Sequence, residues 1–302
     1  MRLVKPVKPV KPQGPHLSKR NYAAELANAL RALVLAADMI TTIRLTQSIG
    51  YYSHRDIVYP TVYGRALMRL FDALLGVTFA PSVGATLEIH DCPLINPRES
   101  GLFLDEVVIK KVVAKFSHIS LETHHVNHTF NYQWAQLGQQ LVDGLYASGD
   151  HLTGLSLRGA PYWISKRLIV SEDNYPSLTY IALFSIWISS AIFVPFISSR
   201  LPQLISLHAS YIYLDEGERW QEAFDVWRAV KRSVKEQGKD LKLKHLTLVA
   251  LYDRKNPVYA HGYSPWVDKS TISSFVKDIL PPTNMWVKSL YASSMAYLPN
   301  HW

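Results

Sequence analysis

The sequence predicts a predominantly α-helical body with a few short β-strands as a minor α+β component. Residues 1–20 form a disordered basic arm, and residues 21–302 a single compact, helix-rich domain. Three observations carry this expectation. Apolar side chains recur at helical spacing in several stretches, most regularly at Trp220, Ala223, Phe224, Trp227, Val230 and Val234. The 26 residues from Asn174 to Ser199 contain no charge, so they must be buried all round. Strand-like alternation is confined to short runs such as Ala85–His90.

The arm reads MRLVKPVKPVKPQGPHLSKR. Proline at every third position removes backbone donors and fixes φ, which excludes helix and sheet and leaves polyproline II, with lysines ~9 Å apart. Arg2, Lys5, Lys8, Lys11, Lys19 and Arg20 place +6 of the net charge of +8 in these residues. The body is close to neutral and does not read as a broad nucleic-acid surface. No apolar run follows the basic residues, so the arm does not read as a secretory signal.

Asn21 can cap a helix running to about Ile49, with Leu26, Leu30, Leu33, Ala37 and Ile40 on one face and Gly50 as its stop. A second helix spans about Thr61–Leu75, and the two make a helical hairpin. A short strand is expected at Ala85–His90, and residues 102–126 suit either a helix or a strand. Trp134, Leu137, Leu141, Val142 and Leu145 mark a helix ending near Gly149, followed by a Gly-rich connector to Pro161. Beyond Pro202, the run Leu204–Leu214 reads as extended. A helix starts near Asp215 and ends at Gly238, a strand comes next around Leu246–Ala250, and two short helices span about 269–280 and 283–297. No repeat of domain size is visible in the sequence.

The uncharged stretch poses a choice. As a continuous helix it is long enough to span a bilayer, and a single-span or peripheral membrane protein anchored by residues 177–194 is one alternative. Glu172 and Asp173 at one end, Pro176 and Pro195, and the Ser and Thr residues within 177–194 favour a central core helix.

One cysteine, Cys92, excludes an internal disulfide framework and a Cys-based zinc finger. The densest group of possible ligands is His118, Glu122, His124, His125 and His128, a second alternative as the centre of a hydrolase or metal-dependent enzyme. His118/Glu122 and His124/His128 are i,i+4 pairs on a helix, but on a strand His124 and His128 would lie ~13 Å apart. No His-Glu-x-x-His pattern, P-loop or nucleophile elbow is present, so no catalytic residue, metal site or cofactor is assigned. Lys231, Arg232, Lys235, Lys239, Lys242 and Lys244, interrupted by Glu236 and Asp240, read as a solvated face.

The arm, the stretch NYAAELANALRALVLAADMITTIRLTQSIGYYSHRDIVYPTVYGRAL and the Tyr/Pro-rich APYW and YDRKNPVYAHGYSPW together resemble the capsid proteins of partitivirus-like double-stranded RNA viruses. The resemblance implies a mostly helical shell domain that dimerises and assembles into an icosahedral particle around RNA, in the virion and the host cytoplasm. On that reading Arg2, Lys5, Lys8, Lys11, Lys19 and Arg20 contact RNA phosphates as point charges, without sequence preference. The Trp220–Trp227 helix then serves shell packing or subunit contacts.

Overall fold

A computed structural model describes residues 25, 27–32, 42–45, 58–79, 84–93, 105–124, 141, 143–145, 149–159, 169, 175–215, 218–253 and 267–280. The chain order is β1 (Thr42–Leu45), α1 (Val58–Leu75), β2 (Thr86–Pro93), α2 (Glu106–Val113), β3 (His118–His124), a 3₁₀ turn (Gly149–His151), β4 (Gly154–Arg158), β5 (Tyr180–Ile188), α3 (Ser190–Arg200), β6 (Ser206–Leu214), α4 (Trp220–Glu236), β7 (His245–Tyr252) and α5 (Lys269–Ile279). The seven strands form one sheet in the order β1-β2-β3-β4-β5-β6-β7, and every adjacent pair is parallel. The body is therefore an α/β structure, which corrects the expectation of a predominantly α-helical domain.

Parallel neighbours need a crossover, and crossovers are right-handed almost without exception. When each strand is added beside the one before it, that rule places all crossover helices on the same side of the sheet. The strands alternate accordingly. Leu87, Ile119, Leu155, Ile181, Leu207 and Leu246 lie in one register row, and Ile89, Leu121, Leu157, Leu183, Ala209 and Leu248 in the next. All twelve are buried, and the residues between them are half-buried or exposed. Each large aliphatic rung contributes about 1.5–3 kcal/mol over its exposed state.

The strand starts repeat too. The carbonyl before each strand accepts two successive N–H groups where the next strand begins: Ala85 from Ser117 and His118, Ser117 from Thr153 and Gly154, Thr153 from Thr179 and Tyr180, Thr179 from Ile205 and Ser206, Ile205 from Lys244 and His245. The hydroxyls of Ser117, Thr153 and Thr179 donate to the carbonyls of Ala85, Ser117 and Thr153 in turn. The unit is thus one strand plus one crossover, stacked along a line as in a solenoid. Its length varies: Thr42 and Thr86 are 44 residues apart, Gly154 and Tyr180 only 26. That variation hides the repeat from a search for a fixed period.

The helical layer is tied down by specific contacts. Lys115 Nζ donates to the carbonyls of Leu74, Leu75 and Val77 at 2.6–2.8 Å and closes the end of α1. Asp105 caps α2 through Val107 N and Asp268 caps α5 through Thr271 N. Glu218 accepts from Ser189 Oγ at 2.8 Å and Ser190 N at 2.5 Å, at the start of α3. Trp220 and Trp227 are buried against Phe193, Phe224 and Phe275 with ring centroids 4.2–6.3 Å apart, so they form a core between α3, α4 and α5.

Several local expectations change. The predicted helix over 21–49 is interrupted, because Thr42–Leu45 is β1. The stretch 102–126 resolves into α2 and then β3. The Gly-rich connector holds β4. The uncharged stretch is neither a core helix nor a span: Tyr180–Ile188 is a strand, Ser189 turns the chain, and Ser190–Arg200 is a helix. Among the described residues, no helix is long and apolar enough to cross a membrane. The predicted helices near 134–149 and 283–297 lie largely or wholly outside the described residues.

Candidate recognition face

The side of the sheet opposite the buried rungs divides in two. Across β1–β4 it is ionic. Arg44 pairs with Glu88, directly opposite in the register. His90 approaches Glu88 Oε2 with Nε2 at 3.3 Å and Glu122 Oε2 with Nδ1 at 2.8 Å. Arg158 Nε lies 3.5 Å from Glu122 Oε1. An Arg–Glu–His–Glu–Arg chain therefore crosses four strands, each link a cross-strand pair or a neighbour on the same face. The Arg44 guanidinium holds the Glu88 carboxyl below its ordinary value, with burial opposing and His90 assisting. Gly154 opens this half: any Cβ there would run into the His118 ring. Burial lowers the His118 imidazole below its usual value.

Across β5–β7 the same face is aromatic. Trp187, Tyr213 and Tyr252 share one register row; Trp187 and Tyr213 have centroids 5.7 Å apart, and Tyr213 stacks on Tyr252 at 4.5 Å and 8°. Phe184 stands 4.5 Å from His208, and Tyr180 5.7 Å from His118. Tyr180 and Trp187 are 43% and 39% exposed, unusual for large rings in the middle of a chain's main sheet. Burial pushes the Tyr213 and Tyr252 hydroxyls upward, so both stay neutral donors at any physiological pH. Arg158 marks the boundary, its guanidinium 5.7 Å from the centre of the Phe184 ring.

A backbone device builds the aromatic half. Ser185, Tyr211 and Ala250 have φ of 52–56° and lie side by side in β5, β6 and β7. Left-handed conformation costs a residue with a Cβ about 1–2 kcal/mol, so three in register are a built feature. Each inserts an extra residue into the alternation. Buried positions run Ile181, Leu183 and then Ile186, Ile188; Leu207, Ala209 and then Ile212, Leu214. The strands thereby continue past the kink and carry Trp187, Tyr213 and Tyr252 onto the face.

Of the residues singled out from sequence, His118 and Glu122 fall on this face. Arg2, Lys5, Lys8, Lys11, Lys19 and Arg20 lie outside the described residues. His118, Glu122 and His124 lie on β3, and Glu122 is engaged by His90 and Arg158; His125 and His128 lie outside the described residues. Among the described residues, no group of three or more His, Cys, Asp or Glu is placed to hold a metal ion. The basic group, Lys231, Arg232 and Lys235 on α4 and Lys239, Lys242 and Lys244 after it, is largely exposed, with Lys231 bonded to the Asp278 carbonyl. Two concavities lie away from the face, about 550 Å³ beside Val230, Gln237 and Lys242, and about 370 Å³ beside Phe79, Lys115 and His151. Sequence reasoning missed Glu88, His90, Phe184, Trp187, Tyr213 and Tyr252 as one surface. The available signal was the apolar-x-apolar triplet at 87–89, 119–121, 155–157, 181–183, 207–209 and 246–248.

Comparison with protein-family models, with curated proteins and with solved structures returned no match.

Proposed function

We propose that this chain is a non-catalytic recognition scaffold whose second sheet face, helix-free among the described residues, binds another polypeptide. The carrying observation is the row of rings from β5–β7, in which Tyr180 and Trp187 are exposed, Phe184 and Tyr213 half-buried and Tyr252 buried, continuous with an ion-paired surface from β1–β4. Stacked parallel strands with helices on one side are the architecture of solenoid arrays such as leucine-rich repeats, which offer extended surfaces rather than closed pockets. Aromatic rings with polar tips are the side chains enriched where proteins meet. The titratable groups of the ionic half are tied to one another, which suits orientation of a partner better than proton transfer. The test is proximity labelling with the intact chain, comparing wild type with a Trp187→Ala/Tyr213→Ala variant of unchanged circular dichroism. Loss of a defined set of partners supports the reading; an unchanged set overturns it.

A second reading rests on the charge of the arm. Residues 1–20 would contact RNA phosphates non-specifically, and the chain would assemble with copies of itself around RNA, as capsid proteins do. The mostly helical shell expected with it is replaced by the sheet, so this reading stands on the arm alone. Deleting residues 2–20 should flatten the salt dependence of RNA binding, and electron microscopy of the purified protein should show particles. An unchanged slope together with a field free of particles removes it.

A further inference from the structure

We propose that the concavity beside the last turns of α4 binds a small amphipathic monoanion, an apolar chain ending in one carboxylate. The site lies in the helix layer, away from the recognition face, and stands independently of the reading of that face. It is built by the way α4 ends. Gly238 takes a φ of +72°, its N–H donates to the Lys235 carbonyl at 2.9 Å, and Lys239 N donates to the Val234 carbonyl at 3.1 Å. This is the Schellman pairing, which needs a left-handed residue at its turn. A Cβ on Gly238 would stand in open space, so the backbone angle and not crowding asks for glycine. The turn brings Lys239, Asp240 and Lys242 beside α4, and with Pro202, just beyond α3, they bound a space of about 550 Å³. That volume lies within the range of small-molecule sites.

The lining divides into an apolar floor and a polar rim. Val234 is buried, and Val230 and Pro202 are half-buried. Ser233, Gln237, Lys239, Asp240 and Lys242 are exposed around them. Other cations of α4 are engaged: Arg228 pairs with Asp225 at 2.8 Å and Asp278 at 2.9 Å, and Lys231 bonds the Asp278 carbonyl. The rim differs. Among the described residues, no hydrogen bond or ion pair holds the side chains of Ser233, Gln237, Lys239 or Lys242, and neither lysine pairs with Asp240. Lysines near a helix end commonly bond its last carbonyls. Here the carbonyls of Ser233, Val234 and Lys235 already accept backbone N–H groups, so the two ammonium groups stay available.

Charge and floor together choose the ligand. Two lysines and one aspartate give the rim a net charge of +1, which one carboxylate neutralises. A second negative charge on the ligand would be repelled by Asp240, and a cation would meet two ammonium groups. The apolar chain covers Val230, Val234 and Pro202 and lies along the aliphatic stems of the lysines, which removes apolar surface from water on both sides. The ligand is a free molecule. An anionic bilayer recruits patches of one sign, whereas Asp240 interrupts this rim and Glu236 is exposed next to Lys235.

The experiment uses the full chain and a dodecanoate carrying a diazirine in its chain, irradiated below its micelle-forming concentration, with the adducts located by mass spectrometry. Adducts are expected within residues 230–242 and at Pro202. Unlabelled dodecanoate should displace them, and dodecyltrimethylammonium should not. Lys239→Met/Lys242→Met should weaken dodecanoate binding about tenfold, through loss of both charge-assisted contacts. Asp240→Asn should strengthen it about twofold, the scale of an exposed charge. Ser233→Trp, at an exposed position, should fill the space and abolish labelling at 230–242 with unchanged circular dichroism. Adducts confined to other parts of the chain, equal displacement by the cationic amphiphile, or labelling that neither the lysine variant nor Ser233→Trp alters would each overturn the proposal. Capture of the chain by phosphatidylglycerol vesicles without labelling by the free probe would assign the lysines to a bilayer and overturn it as well. The Trp187→Ala/Tyr213→Ala variant should label as wild type does, so this site and the recognition face fail separately.

Discussion

The two halves of the open face are built from the same repeating unit and diverge beyond the second buried rung. In β4 the chain turns away at Gly159, where φ is +65° and a Cβ would meet the Thr123 carbonyl at 2.6 Å. In β5, β6 and β7 it takes a left-handed step at Ser185, Tyr211 and Ala250 and remains in the sheet for two or three more residues. The strands of the ionic half present charges that neutralise one another across the register. The kinked strands present rings that stack. A kink aligned between neighbours thus extends a repeat of uniform rungs into a surface with two chemistries, and among the described residues of this face the large rings gather on β5, β6 and β7.

The largest effects are expected in the core, where both halves should behave alike. Leu121→Ala and Leu183→Ala each remove a rung that is 1% exposed or less. Each should cost about 2–5 kcal/mol in urea unfolding, the range for large-to-small changes in a packed core. In a linear array, stability sums over neighbouring units. If one variant costs less than about 1 kcal/mol, the two halves do not share a continuous core and the solenoid description fails.

Glycine and the left-handed residues differ more locally, in what constrains each. At Gly154 the backbone needs no special φ, and the constraint is the His118 ring lying where a Cβ would stand. Gly154→Ala should therefore destabilise by about 1–3 kcal/mol through overpacking. The His118→Ala/Gly154→Ala double variant should recover part of that loss in a double-mutant cycle. At Ser185 the reverse holds: the backbone is strained and the side chain exposed. Ser185→Gly should stabilise by up to about 1 kcal/mol, the left-handed penalty less the extra entropy of glycine. A loss of stability at Ser185→Gly would mean that the hydroxyl, and not the backbone, shapes the kink.

The elements were legible where a single period ran long enough. Trp220, Ala223, Phe224, Trp227 and Val234 point to α4, and all five are buried. Lys269–Ile279 and the strands at 86–93, 206–214 and 245–252 could likewise be placed from their patterns. The fold class was not legible, for two physical reasons. The shortest strands, β1 and β4, give only four or five residues of alternation, too few to stand out between longer helical patterns. The uncharged run 174–199 joins a strand whose alternation is broken by the kink at Ser185 to a helix apolar on all sides, and such a run has no period that separates the two states. The face was hidden with the fold: Trp187, Tyr213 and Tyr252 are far apart in sequence and meet only because β5, β6 and β7 are neighbours in register.

The smallest expected effect separates the halves by pH. His208, hydrogen-bonded to Ser210 Oγ at 2.8 Å and close to Phe184, has its imidazole lowered by burial. As pH falls below the ordinary histidine value of about 6.5, the unfolded chain takes up this proton before the folded one, and stability declines from that point until the folded group also titrates. Glu88 in the ionic half is lowered by Arg44, so its contribution is complete above the ordinary carboxylate value of about 4.3 and disappears as pH falls through the depressed folded value. Stability should thus fall in two windows, an upper one and a lower one. His118, also lowered by burial, shares the upper window although it stands on β3, so His208→Gln should shrink the upper slope without abolishing it. Glu88→Gln should flatten only the lower slope. Urea midpoints measured from pH 8 to pH 3 decide the matter. If His208→Gln changed the lower window, or Glu88→Gln the upper, the two halves would be coupled through the sheet rather than set independently by the chemistry on either side of Arg158.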